Sequence, residues 1–368
     1  MEGTYASMKD IAASLPQSPG VYLMKDSLGH VIYVGKSKNL KKRVQSYFYN
    51  NKSHSPKVKK LVQHVRDLEY RVTDTEFEAF MLECRLIHEI KPMYNRKMKN
   101  PLGYPYILIG PGPGLKRMKV SADLPEEEGW RALGPYTSSR GSVERAVQDF
   151  RECFRLDCNH ASSGNSACLN HSLGLCRGAC LGGEAEAQYH RLIDRFAALL
   201  GGEDGSLEEE IQAEMAAAAE VFDFEAAARY RDCLKSIGFL LRQRQVARFA
   251  EANRKLLVME RMDEGSAKLF LIRRNLVLFS GIFDVSNVDR LPEGFEEIVR
   301  AGFEEVSAAA EQEIGREEFD EAQIIYSYVK SSTCRHLEIQ DDWLEAGDES
   351  LCEGLADFLR TGWSQDGA

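Results

Sequence analysis

The sequence has no long apolar run and little cysteine for its length. No stretch reaches the ~18 apolar residues that a membrane-spanning helix needs, which argues against a spanning protein. The first ten residues hold no apolar signal core, so we expect no secretion by a signal peptide. Nine cysteines in 368 residues are too sparse for a disulfide scaffold. We therefore expect a cytoplasmic protein of two or three domains, whose cysteines are free thiols or metal ligands.

Acidic side chains are missing from the window between Asp26 and Asp67, although the net charge of the whole chain is −10. Residues 1–100 carry 18 Lys and Arg against 10 Asp and Glu, and the remaining chain carries 29 against 47. Aromatic residues alternate with the basic ones in this window. Such a stretch is typical of a surface that binds a nucleic-acid backbone, and a solvated charged surface is the alternative.

The hydrophobic pattern predicts an α/β (α+β) protein. Residues 20–24 and 31–34 are β-rich runs separated by turn residues, which predicts a hairpin with Tyr22 and Tyr33 opposite each other. Basic helices are predicted over 38–48 and 57–65, and a further strand over 103–109. Helices are also predicted over 143–153, 185–200, 207–221 and 224–241, followed by strands within 255–284 and an acidic helical tail.

Glu83 falls on the apolar side of the helix predicted over 73–90, for which Thr73 and Glu76 have the spacing of a capping box. A buried carboxylate without a partner costs several kcal/mol. Glu83 therefore needs a cation. A structural salt bridge, for example to Arg43, is one possibility, and a hard divalent metal ion is the other.

Several blocks of the first 95 residues together resemble the GIY-YIG nucleases, and within them the UvrC family. The blocks are Pro19-Gly-Val-Tyr22, Val31-Ile-Tyr-Val-Gly-Lys-Ser37, Asn39-Leu-Lys-Lys-Arg43, Ser46-Tyr-Phe48, Thr75-Glu-Phe-Glu-Ala-Phe-Met-Leu-Glu83 and Ile90-Lys-Pro-Met-Tyr-Asn95.

The resemblance implies metal-dependent DNA cleavage by this cluster of residues. Tyr22 and Tyr33 would be the paired tyrosines, with Tyr33 the candidate to activate water; a packed aromatic pair is the alternative. Arg43 would stabilise charge on the phosphate, Lys36 and Tyr47 would contact the phosphate or its water, Glu83 would hold Mg²⁺ or Mn²⁺, and Asn95 would close the site. The surrounding lysines would bind DNA: Lys38, Lys41, Lys42, Lys57, Lys59 and Lys60.

Four cysteines lie within 23 residues, namely Cys158, Cys168, Cys176 and Cys180. Thiolates this close suit a tetrahedral metal or an iron–sulfur cluster. The paired CxxC knuckles of zinc ribbons are absent, and the block resembles the UvrC segment that holds a 4Fe–4S cluster. Zinc and free thiols remain the alternatives.

The alanine-rich segment 216–232 resembles the UVR motif, a helical hairpin that pairs with the partner protein UvrB. Phe222 and Phe224 would be its anchors, and an ordinary helix pair is the alternative. We expect a nuclease domain over 10–110, a cysteine module within 111–200, this hairpin over 201–245 and a mixed region over 246–368.

No RNase H-like domain is recognised in the sequence, so the resemblance implies a short, Cho-like homologue. It would incise only on the 3′ side of damage in nucleotide excision repair. Two other functions remain open: a non-catalytic accessory that binds DNA or UvrB, and an unrelated nuclease.

Overall fold

A computed structural model describes residues 2–49, 54–95, 98, 103–112, 114–158, 167–285, 294–304, 318–345 and 349–363. The chain forms two compact units, one built from residues 1–101 and 249–368 and the other from residues 102–248. Helices and small antiparallel sheets alternate in both units, as the α/β (α+β) prediction requires. Among the described helices, none is both long enough and apolar enough to cross a membrane.

The first part of unit one is a three-stranded antiparallel sheet surrounded by helices. Strand order is β2–β1–β3, so β1 lies in the centre. The elements are α1 (Glu2–Ser14), β1 (Gly20–Lys25), β2 (Val31–Ser37), α2 (Leu40–Tyr49), α3 (Pro56–His64), β3 (Asp67–Val72) and α4 (Glu76–Ile90).

The predicted hairpin is confirmed, but its predicted register is wrong. Tyr22 pairs with Gly35, and Tyr33 pairs with Met24, which is two residues from the predicted register. The loop between Asp26 and His30 holds three residues, which accounts for one residue of the difference, and a bulge between Met24 and Lys25 accounts for the other. The two tyrosines therefore share a face as diagonal neighbours instead of lying directly opposite each other.

The N-cap of helix α4 lies two residues later than its sequence pattern predicts. Thr75 is the N-cap, and its side chain accepts a hydrogen bond from the N–H of Glu78, whose carboxylate accepts from the N–H of Thr75. The capping box is therefore Thr75 with Glu78, and the predicted pair of Thr73 with Glu76 is wrong. This shift leaves Glu76 available for another contact.

The second part of unit one is a four-stranded antiparallel sheet in the order β10–β7–β8–β9. The strands predicted within 255–284 are confirmed, whereas β10 was not predicted. The elements are β7 (Lys255–Arg261), β8 (Ser266–Arg273), β9 (Leu276–Asp284), α10 (Phe295–Glu304), α11 (Phe319–Val329), β10 (Cys334–Glu338) and α12 (Ser350–Trp363).

An ion-pair cluster connects this sheet to the start of α4. Lys268, on β8, is 5% exposed, and its ammonium lies 2.5 Å from Asp74 Oδ2 and 2.9 Å from Glu78 Oε1. Glu78 also forms the capping box, so Lys268 stabilises the position at which the helix begins. Burial makes this contact stronger than an exposed ion pair.

Unit two contains a three-stranded sheet in the order β5–β4–β6, packed with helices. Its core includes Phe150 and Phe196, whose stacked rings have centroids 3.9 Å apart. The elements are β4 (Tyr106–Gly110), β5 (Arg117–Ser121), β6 (Arg131–Leu133), α5 (Arg140–Phe154), α6 (Leu169–Ser172), α7 (Gly183–Gly201), α8 (Ser206–Glu220) and α9 (Phe224–Glu251).

Strand β4 covers most of the strand predicted over 103–109, but it pairs with β5 and β6 and not with the hairpin. The N-terminal segment of unit one accordingly ends at residue 101, short of the boundary expected at 110. Alternating apolar residues identify a strand without identifying its partner, which explains the difference.

We predict that Lys268→Met lowers the free energy of unfolding by about 2 kcal/mol, because two carboxylates lose their buried cation. Lys255→Met is the matched control on β7. Its partner Asp341 is 90% exposed, so the expected loss is below about 1 kcal/mol. Urea unfolding of both variants measures the difference, and equal small losses would contradict a stabilising role for Lys268.

Candidate active site and cysteine centre

Three tyrosines form a compact cluster on the hairpin and α2. The ring centroids of Tyr22 and Tyr33 are 6.1 Å apart, those of Tyr22 and Tyr47 are 6.0 Å apart, and those of Tyr33 and Tyr47 are 6.4 Å apart. The hydroxyls of Tyr22 and Tyr47 are hydrogen-bonded at 2.9 Å. Tyr22 and Tyr47 are buried, whereas Tyr33 is half-buried. Tyr33 is therefore the phenol that solvent reaches most readily.

Gly35 makes this close packing possible. A Cβ atom at Gly35 would lie 2.4 Å from the hydroxyl oxygen of Tyr22 and 2.9 Å from Cε1 of Tyr33. Both distances are too short for any side chain. Gly20 has the same function on β1, where a Cβ would lie 2.3 Å from the carbonyl oxygen of Arg71 on β3. Gly20 and Gly35 are thus needed because a Cβ atom at either position would collide with its neighbours.

Two of the three phenols, those of Tyr22 and Tyr33, are held in their neutral form. Burial raises the pKa of Tyr22 well above its usual value, and neighbouring Tyr47 and Tyr33 add to the increase. Burial also raises the pKa of Tyr33, and the charges of Tyr47 and Glu83 raise it further. Arg43 opposes both shifts, and its guanidinium carbon lies 5.3 Å from the centroid of the Tyr47 ring. Arg43 itself is exposed and can reach an anionic ligand.

Glu83 extends from α4 towards β2, as its position in the helix predicts. Its Oε1 accepts a hydrogen bond of 3.1 Å from the backbone N–H of Lys36. Burial raises the pKa of Glu83 above its usual value, against the lowering effects of that N–H and of the Lys36 and Arg43 charges. Within the described part of the chain Glu83 forms no salt bridge, so the structure does not support the Arg43 pairing.

The chemistry of this carboxylate fits a divalent cation. Glu83 is half-buried, its hydrogen bond to the described residues comes from a neutral donor, and its charged form is disfavoured by burial. A hard cation that uses one carboxylate together with water and phosphate oxygens suits this environment.

Two predicted site residues make contacts that sequence reasoning did not anticipate. The Lys36 ammonium pairs with Glu76 at 2.8 Å and lies 4.2 Å from the centroid of the Phe80 ring. Asn95 is buried, and its amide makes two hydrogen bonds to the backbone of Val34, at 3.0 and 2.8 Å. Asn95 therefore fixes the strand between Tyr33 and Gly35, since its side-chain hydrogen bonds go to this backbone.

Glu76 and His54 lie beside the site, and the sequence analysis did not identify either of them as a site residue. Glu76 had been explained by the capping box, although its carboxylate pairs with Lys36. The ring of His54 lies 6.4 Å from that of Tyr47, and its Nε2 is 3.0 Å from the carbonyl oxygen of Ser46. No sequence pattern indicates this placement.

The lysines predicted to bind DNA lie on α2, on α3 and just after β2. Lys41 is half-buried, and the others are exposed, namely Lys38, Lys42, Lys57, Lys59 and Lys60. Their accessibility is what an electrostatic contact with phosphates requires.

Four of the cysteines of unit two converge, as their spacing in the sequence predicts. The Sγ atoms of Cys158, Cys168 and Cys180 lie within 4.8 Å of one another, and Cys176 belongs to the same cluster. The backbone N–H of Gly178 donates to Cys176 Sγ at 3.2 Å. Convergent thiols with a backbone donor to sulfur fit either a metal ion or an iron–sulfur cluster.

The predicted helical hairpin is confirmed as α8 and α9. Asp223 caps α9, since its Oδ1 accepts from the N–H of Ala226 at 3.0 Å. Apolar side chains are exposed where the helices meet: Val221 by 73%, Phe222 by 77% and Phe224 by 68%. The two phenylalanine rings are 6.1 Å apart. This tip is an apolar surface exposed to solvent.

A β-hairpin with clustered tyrosines, an arginine on the next helix and a carboxylate on a packed helix defines a GIY-YIG nuclease domain. Family models agree with this class: that of the UvrC-like GIY-YIG domain matches residues 18–96, that of the UvrC/Cho excinuclease middle domain matches 104–199, and that of the UvrB/uvrC motif matches 207–238. The chain belongs to the UvrC family.

Curated relatives match across all three regions. UvrABC system protein C of Clostridium perfringens is 36% identical over 284 residues, which is 76% of this chain and 46% of that protein. The protein of the same name from Thermoanaerobacter pseudethanolicus is 32% identical over 323 residues, or 86% and 52% of the two chains. The chain thus spans about half the length of the curated relatives it matches.

A solved structure resembles the first domain. The crystal structure of the N-terminal GIY-YIG endonuclease domain of Thermotoga maritima UvrC, bound to magnesium as its catalytic divalent cation, is 36% identical. The match covers 24% of this chain and 97% of the Thermotoga maritima chain, with a TM-score of 0.23.

Proposed function

We propose that the protein is a divalent-metal-dependent DNA endonuclease of nucleotide excision repair, which makes one incision on the 3′ side of a lesion. The half-buried Glu83 carboxylate beside three clustered phenols and Arg43 carries this proposal. The UvrC family membership supports the repair pathway and the 3′ position. Lesion choice would come from a UvrB-like partner.

Each residue of the cluster has a distinct role. Glu83 would hold Mg²⁺ or Mn²⁺, which would act as a Lewis acid on the phosphoryl oxygens. The hydroxyl of Tyr33 orients the attacking water, because it is the most accessible of the three phenols. Tyr22 and Tyr47 hold it in place through their packing. The exposed guanidinium of Arg43 binds a phosphoryl oxygen and stabilises its increasing negative charge.

Lys36 and Asn95 act as positioning residues in this mechanism. Lys36 is held by Glu76, and its backbone N–H orients Glu83. Asn95 fixes the strand that carries Tyr33. The six flanking lysines supply attraction to the DNA backbone that does not depend on sequence.

We predict that Glu83→Gln lowers magnesium-dependent nicking of a lesion-bearing duplex on the order of 100-fold in the presence of UvrB. The amide keeps an oxygen for the Lys36 N–H but removes the charge. Glu89→Gln, on an exposed position of the same helix, is the control. End-labelled substrate maps the cut. Full nicking by Glu83→Gln would refute the metal assignment, whereas no nicking by the wild type would favour the non-catalytic accessory role.

The pH dependence follows from the same carboxyl. Because its pKa is raised, the Glu83 carboxyl is already protonated at pH values at which an ordinary glutamate, whose pKa is ~4.3, is still ionised. A metal ion must displace that proton in order to bind. Magnesium affinity should therefore fall as the pH is lowered from the raised pKa of Glu83 towards ~4.3. Without metal, the wild type should gain unfolding free energy relative to Glu83→Gln over the same range.

We propose a 4Fe–4S cluster on Cys158, Cys168, Cys176 and Cys180, with zinc as the alternative. The convergence of the thiols and the N–H donor to Cys176 support it. Protein purified without oxygen should contain iron and sulfide and absorb near ~400 nm. Cys168→Ser should lose both signals, whereas Cys352→Ser should keep them. Stoichiometric zinc without visible absorption would contradict the cluster.

We propose that the α8–α9 tip binds a UvrB-like partner. Three exposed apolar side chains at one turn support it. Phe222→Ser or Phe224→Ser should weaken UvrB binding roughly 30-fold, as expected for an aromatic anchor worth ~2 kcal/mol. Leu124→Ser, another half-exposed apolar position in unit two, is the control. Unchanged calorimetric affinity of both phenylalanine variants would exclude this surface.

A further inference from the structure

A second group of side chains able to bind a metal lies in unit one, where α4 meets α11. Cys84 and His88 are one turn apart on α4, and Asp320 lies on α11. One ligand atom from each lies within 4.8 Å of the other two. Cys84 is fully buried, Asp320 is 4% exposed, and the His88 side chain is 20% exposed.

The same ring nitrogen of His88 faces both neighbours. His88 Nε2 is 3.0 Å from Asp320 Oδ2 and 3.9 Å from Cys84 Sγ. One nitrogen carries either one proton or one lone pair, so it cannot serve as a strong donor to both groups. A cation between the three atoms would bind the lone pair, the thiolate and the carboxylate at once.

The distances are close to those of a tetrahedral zinc site. With Zn–S about 2.3 Å and Zn–N or Zn–O about 2.0–2.1 Å, tetrahedral angles separate sulfur from nitrogen by roughly 3.6 Å and nitrogen from oxygen by roughly 3.3 Å. The observed 3.9 and 3.0 Å differ from these values by about 0.3 Å each. The third separation, between the Cys84 sulfur and the Asp320 carboxylate, is at most 4.8 Å.

We propose that Cys84, His88 and Asp320 bind a zinc ion. A donor set of sulfur, imidazole nitrogen and carboxylate oxygen selects zinc over magnesium, which prefers oxygen ligands. Water would fill the fourth position.

The zinc ion would attach α11 to the helix that carries Glu83. Cys84 is the next residue along the chain, so the ion would fix the rotation of α4 at the turn from which Glu83 reaches β2. Zinc here is structural, since Cys84 packs in the core that α4 shares with the second sheet and α11, and not in the core that contains Tyr22 and Tyr47.

The test is metal analysis of the full chain after chelator treatment, re-addition of zinc sulfate and removal of excess ion. Cys84→Ser, His88→Gln and Asp320→Asn should each bind about one zinc fewer per chain than wild type. Cys352→Ser, His64→Gln and Asp341→Asn are matched controls in the same unit and should bind as wild type does. The four-cysteine centre contributes equally to all of them.

Thermal unfolding separates metal loss from misfolding. Added zinc should raise the melting temperature of the wild type and the controls more than that of the three variants. A cluster variant that unfolds cooperatively and lacks this increase supports the site. Wild-type zinc content in all three cluster variants would overturn the proposal and leave His88 and Asp320 as an ion pair beside an inert thiol.

Discussion

Burial of the Glu83 carboxylate between α4 and β2 is the constraint on which the site depends. Its pKa is raised because its charge has left water, and the backbone N–H of Lys36 compensates only in part. The helix must therefore hold the group against its tendency to return to solvent. Packing of α4 against the first sheet and the Lys268 contact at its start supply that restraint.

Helix α4 contacts three different parts of unit one through different faces. Glu78 reaches the second sheet through Lys268, Glu83 faces the hairpin, and His88 meets α11. Residues three or four apart lie on the same face of a helix, whereas 78, 83 and 88 advance by five and turn progressively around it. Residues after 249 thus help to determine where a carboxylate on residue 83 lies.

Local patterns in the sequence predicted most elements and much of the candidate site. Helical periodicity located α4 and the unusual position of Glu83, and cysteine spacing located the thiol cluster. The register of Tyr22 and Tyr33 was wrong because neither the length of the loop nor a bulge is visible in alternating hydrophobicity. The contact of Lys36 with Glu76 joins residues 40 positions apart, and that of His88 with Asp320 joins residues 232 positions apart. Such pairings arise only from tertiary packing, so no local pattern predicts them.

Backbone groups on the outer edge of β2, the edge away from β1, bind other parts of the same chain. The Ile32 carbonyl accepts from the N–H of Tyr94, both backbone groups of Val34 bind the Asn95 amide, and the Lys36 N–H binds Glu83. An edge strand with unpaired groups is a template on which a foreign strand can add and aggregates can grow. Here the groups that shape the candidate active site also cover that template, so one set of contacts both positions the site and occupies the edge on which a foreign strand could add.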